Sequence, residues 1–142
     1  MPSRQDSLGF LLAETLHLLR RAFRQRLGSN PLTFAQARAL VYVSRHEGVR
    51  QVDLAELLEV QPITLARLID QLAEAGLVER RPDPGDRRAY KINLTPAAAP
   101  HLANIEQVAA SIQTEALRGL DPQQAAGVMH ALRTIRGNLA SS

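Results

Sequence analysis

The chain has no cysteine, which excludes disulfides, thiolate metal centres and redox sensing through a thiol. It also has no long apolar run. The longest are a few residues, short of the roughly 20 that a membrane-crossing helix needs. The opening stretch "MPSRQDSLGFLL" lacks a basic region followed by an uninterrupted apolar segment and a small-residue cleavage site, so no secretory signal is read and the cytoplasm is the expected location. His17, His46, His101 and His130 lie far apart, and none has a second histidine or a carboxylate at metal-ligand spacing. No nucleophile–base pair, carboxylate dyad or phosphate-cradling glycine loop is legible, so neither an enzyme nor a cofactor is expected. Internal repeats and low-complexity tracts are missing as well.

What is present is unevenly spread. At 142 residues the chain suits one domain with a real core. Its formal charge is only +3, but residues 1–79 and 92–142 are each balanced, with nine arginines against nine acids and three against three. All of the excess falls in residues 80–91, where Arg80, Arg81, Arg87, Arg88 and Lys91 face only Asp83 and Asp86. A basic patch confined to one place on a balanced chain points to a polyanion or an anionic ligand at that place.

Apolar spacing supplies the element order. Leu8, Leu11, Leu12, Leu16, Leu19, Phe23 and Leu27 recur at three- and four-residue steps and predict a long amphipathic helix ending near Gly28. Thr33 and Gln36 form a capping-box pattern for a second helix running toward Gly48. A short third helix follows with Val52, Leu54, Ala55 and Leu58 inward. A fourth has Pro62 at its first position, Leu65, Leu68, Ile69 and Leu72 on one face, and Gly76 at its stop. Beyond Gly76 the period becomes two: "LVERRP" and "AYKINL" read as a hairpin around a turn bearing proline and glycine. Thr95-Pro96 is expected to open a helix with Leu102, Ile105, Val108 and Ile112 inward and a kink or irregular start at Pro100. Asp121-Pro122 caps a last helix carrying Val128, Met129, Leu132, Ile135 and Leu139.

The fold class implied is mainly α with a small β-hairpin, a winged helix-turn-helix over residues 33–95. Residues 1–32 and 96–142 form a helical region, the whole being one intertwined domain. The apolar stripes of the end helices are expected to pair between chains in a homodimer; folding back on the same chain is the alternative. In such a module the second helix of the pair enters the major groove and the hairpin reaches the neighbouring minor groove. Gln61, Pro62, Thr64, Arg67 and Gln71 then face outward and suit base and phosphate contacts. Simple solvation explains part of this face too, with Arg67 pairing to Asp70 or Gln71 to Glu74. Arg87 and Arg88 sit at the hairpin tip, where a narrow minor groove attracts arginine. Asp86, two residues before Arg88, leaves an extended strand on the same side and is expected to hold the guanidinium.

The run "LAELLEVQPITLARLIDQLAEAGLVERRPDPGDRRAYKINLT" resembles the core of the MarR family of bacterial transcriptional regulators, close to its SlyA-like branch. The resemblance covers residues 8 to about 140, and the Asp-x-Arg wing motif at Asp86 and Arg88 is its most specific part. It implies a homodimeric repressor of pseudo-palindromic double-stranded DNA operators, released by a small aromatic or phenolic anion. Two departures stand out: Arg50 occupies the usual Ser or Thr cap of the third helix, and Ala98 replaces a glycine after the wing. By resemblance Thr33, Tyr42 and Arg67 contribute to an effector pocket. His17 and Arg21, in the basic cluster with Arg20, Arg24 and Arg26, could accept a carboxylate, although a solvated helix face explains them better. The rival reading is a winged helix that docks its basic hairpin on an acidic protein partner.

Overall fold

The structure is a computed structural model that describes residues 7–28 and 30–142. The first residues of the region expected over 1–32, and half of the stretch read for a secretory signal, lie outside the described residues. The elements are α1 (Leu8–Leu27), α2 (Phe34–Arg45), β1 (Val49–Arg50), α3 (Gln51–Leu58), α4 (Pro62–Glu74), β2 (Val78–Asp83), β3 (Asp86–Leu94), α5 (Ala98–Ala116) and α6 (Pro122–Ala140). The strands form one antiparallel sheet in the order β1-β3-β2. Helices with this small sheet make a winged helix.

Local chemistry sets most element ends. The Thr33 hydroxyl accepts from the Gln36 N–H at 3.1 Å while the Gln36 side chain accepts from the Thr33 N–H at 3.0 Å, so the expected capping box is formed. Asp121 and Gln124 repeat that device at α6. Pro62 and Pro122 stand at helix starts, where a missing N–H costs nothing. Gly76 takes φ +77°, a left-handed turn open to glycine at no steric cost. The Leu77 N–H then donates back to the Leu72 carbonyl at 2.9 Å, closing α4 so that the chain can leave as a strand.

Several expectations are corrected. A third strand exists: Val49 and Arg50 pair with Ile92 and Lys91, a two-residue segment too short to show a period. Helix α2 stops at Arg45, short of Gly48. Val52 is 56% exposed, because it precedes Leu54 by two residues and so points about 160° away from it around the helix. Helix α5 opens at Ala98, two residues later than Thr95-Pro96 suggests. Pro100 therefore falls at the third helical position, where its N–H would have no intrahelical acceptor, so it gives no cause for a kink. The irregular start is present, as the Ala98 and Ala99 N–H groups donate to the Thr95 and Pro96 carbonyls at 3.1 and 3.3 Å.

The described residues up to 109 and those from 110 to 142 form two compact units. The core of the first gathers Leu40 and Val43 of α2, Leu54 and Leu58 of α3, Leu65, Ile69 and Leu72 of α4, and Ile92 of β3. Leu27, Leu32, Ala98 and Ile105 join it, so this core reaches beyond residues 33–95 on both sides. Leu27 is the one buried residue of α1; Leu8, Leu11, Leu12, Leu16 and Leu19 are exposed. In the second unit α6 buries nothing, and Val128, Leu132 and Leu139 are exposed.

Candidate nucleic-acid interface

The orientation of α4 follows from what it buries. With Leu65, Ile69 and Leu72 in the core and Leu68 packed against it, the opposite face presents Gln61, Pro62, Ile63, Thr64, Arg67, Asp70, Gln71 and Glu74. Gln61 is the N-cap by backbone alone, and its side chain makes no capping bond. Asp70 is taken by Arg80, with Nη1 2.7 Å from Oδ1, and not by Arg67. Gln71 accepts from the Gln36 amide at 2.8 Å, not from a neighbour on its own helix. The first half of α4 is thus left outward, with Arg67 exposed and in no ion pair among the described residues, while the second half is tied to its surroundings.

The wing departs from a plain hairpin. β2 and β3 pair regularly from Val78–Leu94 to Pro82–Tyr90, but the next pair is Asp83–Asp86. Arg87, Arg88 and Ala89 therefore have no opposite residue and bulge from the ladder beside the Pro84-Gly85 turn. This bulge is what sets both arginines outward; each is exposed. The Asp86 carboxylate does not meet the Arg88 guanidinium among the described ion pairs. It accepts the backbone N–H of Arg88 at 3.0 Å, supplying a partner to a donor that the bulge removes from the ladder.

The wing base is fastened by Asp83, the one buried charged group among the described residues. Its Oδ1 accepts from the Gly85 N–H at 2.9 Å, and its Oδ2 lies 2.8 Å from Arg50 Nε, close but not aligned as a hydrogen bond. The Gly85 amide, with the charges of Arg50 and Lys91, outweighs burial and holds the Asp83 carboxyl below the usual carboxylate value. Arg50, whose side chain indeed caps nothing at α3, serves the wing instead. Arg80 is an internal tie: Nε donates to Gln51 Oε1 at 2.9 Å, and Nη2 to the Ala66 carbonyl at 3.2 Å. Arg81 pairs with Glu79. Of the basic cluster, Arg87 and Arg88 remain as exposed arginines without an ion pair among the described residues.

A cleft of about 310 Å³ is lined by Pro62 from α4, Gln51 and Val52 from α3, and Asp86, Arg88 and Tyr90 from the wing. The start of α4 and the wing motif therefore border one surface. The residues read as an effector site do not come together. A second, largely apolar cavity of about 230 Å³ takes Tyr42, with Phe23, Phe34, Arg38, Arg45 and Ile105. His17 lines a separate recess along α1, Arg21 is exposed, Thr33 spends its hydroxyl on the α2 cap, and Arg67 lies on α4. Arg38 is the missed member: its guanidinium sits 5.4 Å over the Tyr42 ring and donates to the Leu58 carbonyl at 3.0 Å. The spacing Phe34, Arg38, Tyr42, Arg45 along one helix face was the available signal.

A helix presented between its core and solvent, with a basic wing beside it, defines the class as winged helix-turn-helix folds. Residues 30–89 match the MarR family. A crystal structure of MarR superposes with TM-score 0.89 at 26% identity, covering 99% of this chain and 96% of the other. A mutant MarR from E. coli complexed with operator DNA gives TM-score 0.75 at 26% identity over 90% and 92% of the two chains. A MarR transcriptional regulator from Methanosarcina mazei Go1 shares the fold, with TM-score 0.82 at 21% identity over 92% and 97%.

Proposed function

We propose that this chain is a homodimeric, sequence-specific DNA-binding regulator of the SlyA-like branch, a repressor in the cytoplasm that a small aromatic or phenolic anion releases from its operator. The observation that carries the reading is the shared border of the α4 start and the wing: Pro62 and Arg88 line one cleft, with Arg67 and Arg87 exposed nearby in sequence. Gln61, Thr64 and Arg67 supply donors and acceptors for base edges and phosphates, and Arg87 and Arg88 the minor-groove contact. Gln71 and Asp86 act behind them, the first steadying α4 against α2 and the second holding the wing bulge. The similarity to an E. coli MarR mutant complexed with operator DNA supports DNA as the partner. The cavity of Phe23, Phe34, Tyr42, Arg38 and Arg45 offers aromatic walls beside guanidinium groups, the chemistry that would hold an aromatic carboxylate.

The test is binding of a selected duplex by wild type and Arg88→Ala at several salt concentrations. The variant should lose about 1–3 kcal/mol of specific binding, and the salt slope should mark phosphate contacts. Operator affinity equal to wild type would reject the wing contact. A chain that captures acidic proteins while showing no salt-dependent DNA binding would be the protein-docking module instead.

A further inference from the structure

Ile63 is 65% exposed on the first turn of α4, and no part of the reading above uses it. It lies two residues from Leu65, so it points about 160° away from that core residue, close to the centre of the outward face. Arg67 follows it by four residues and shares its ridge. The other members of this face are charged or polar, apart from Pro62, which is fixed at the helix start. Nothing in the fold requires a branched hydrocarbon there: threonine, serine or glutamine would continue a helix in water without leaving apolar surface wet.

We infer that Ile63 is a specificity residue that reads the C5-methyl group of a thymine in the major groove. This rests on α4 being the DNA-reading helix. The thymine methyl is the apolar feature of the major-groove edge, and it distinguishes T·A from every other pair at that position. An aliphatic side chain beside it removes apolar surface of both partners from water. Ile63 is suited to this because a β-branched residue in a helix keeps one strongly preferred χ1 rotamer, and Pro62 fixes the backbone just ahead of it. Little side-chain freedom remains to be lost on contact. The charge around it fits the same occupant: Arg67 on the same ridge and Arg88 across the cleft from Pro62 favour a polyanion, not an apolar protein surface.

The experiment uses the full chain. A duplex is first selected from a random library; each thymine in its half-sites is then replaced in turn by deoxyuridine, which removes only the methyl group. At one position per half-site, wild type should bind about fourfold more weakly, the worth of one buried methyl group, and about fifteenfold more weakly when both half-sites are changed. Ile63→Ala should bind the thymine and uracil duplexes equally well at that position, with an unchanged melting temperature because the residue is outside the core. If wild type prefers the selected duplex yet tolerates uracil everywhere, the inference is wrong and the operator reading stands. If Ile63→Ala keeps the full uracil sensitivity, another side chain such as Thr64 reads the methyl, and the inference is again overturned. If no duplex is enriched at all, both readings fall together.

Discussion

Two carboxylates three residues apart stabilise different parts of the wing. Asp86 accepts the Arg88 N–H, so what it needs is an oxygen acceptor and not a charge. Asp86→Asn should therefore keep operator affinity within about twofold of wild type, whereas Asp86→Ala should lose roughly 1 kcal/mol, one hydrogen bond's worth. Fluorescence anisotropy on one duplex compares them, and equal losses would mean that the carboxylate acts through the Arg88 guanidinium. Asp83, by contrast, depends on its charge. Its folded pKa is depressed relative to an unfolded value of about 3.9. The stabilisation it brings is complete above that value and is lost as pH falls through the folded one. Between about pH 6 and about pH 3, urea midpoints of wild type should fall more than those of Asp83→Asn, which still accepts from Gly85 but has no proton to gain. Neither role was legible in advance. Sequence spacing put Asp86 and Arg88 on one side of a strand, but the bulge at residues 87–89 decides which atoms meet.

Among the elements, α3, α4 and β2 share one bolt. Arg80 is three-quarters buried at its side chain and reaches Gln51 at the start of α3, Ala66 and Asp70 in α4, and its own strand. It therefore fixes the angle between the helix that would read DNA and the wing beside it. Arg80→Ala should cost about 1–3 kcal/mol of stability by removing charge-assisted hydrogen bonds, seen as a lower urea midpoint, and should weaken operator binding further at temperatures where the chain is still folded. Arg80→Lys should not restore the wild type, since one ammonium cannot span acceptors arranged for a planar fork. An unchanged urea midpoint in both would show that the tie is idle. The helices were readable because each has an apolar stripe, and α2 and α6 also have recognisable capping boxes. The two-residue β1 has no period to read, and the start of α5 was misplaced because Pro96 is as suitable as Ala98 for opening a helix until the packing of Ala98 in the core chooses between them.

For the whole molecule the exposed leucines carry the argument. Leu11, Leu12, Leu16 and Leu19 of α1 are 49%, 37%, 47% and 37% exposed in the single chain, and α6 leaves Val128, Leu132 and Leu139 uncovered. Apolar rows of this extent call for a partner surface, and we propose a second copy. Leu16→Glu should shift sedimentation from dimer to monomer, because the interface would bury an unpaired charge. On DNA the dimer should protect half-sites about 10 bp apart, centre to centre; a monomeric wild type would end the proposal. The amino-acid order by itself determined the helices, the winged module and the place of the basic excess, because periodicity, caps and local charge are properties of neighbours along the chain. Only the tertiary structure decided which of five cations stay outward, which carboxylate holds backbone and which holds charge, and where Tyr42 finds its cavity. Those outcomes depend on residues brought together from distant parts of the chain, such as Arg50 with Asp83 and Gln36 with Gln71, and no spacing along the chain encodes such meetings.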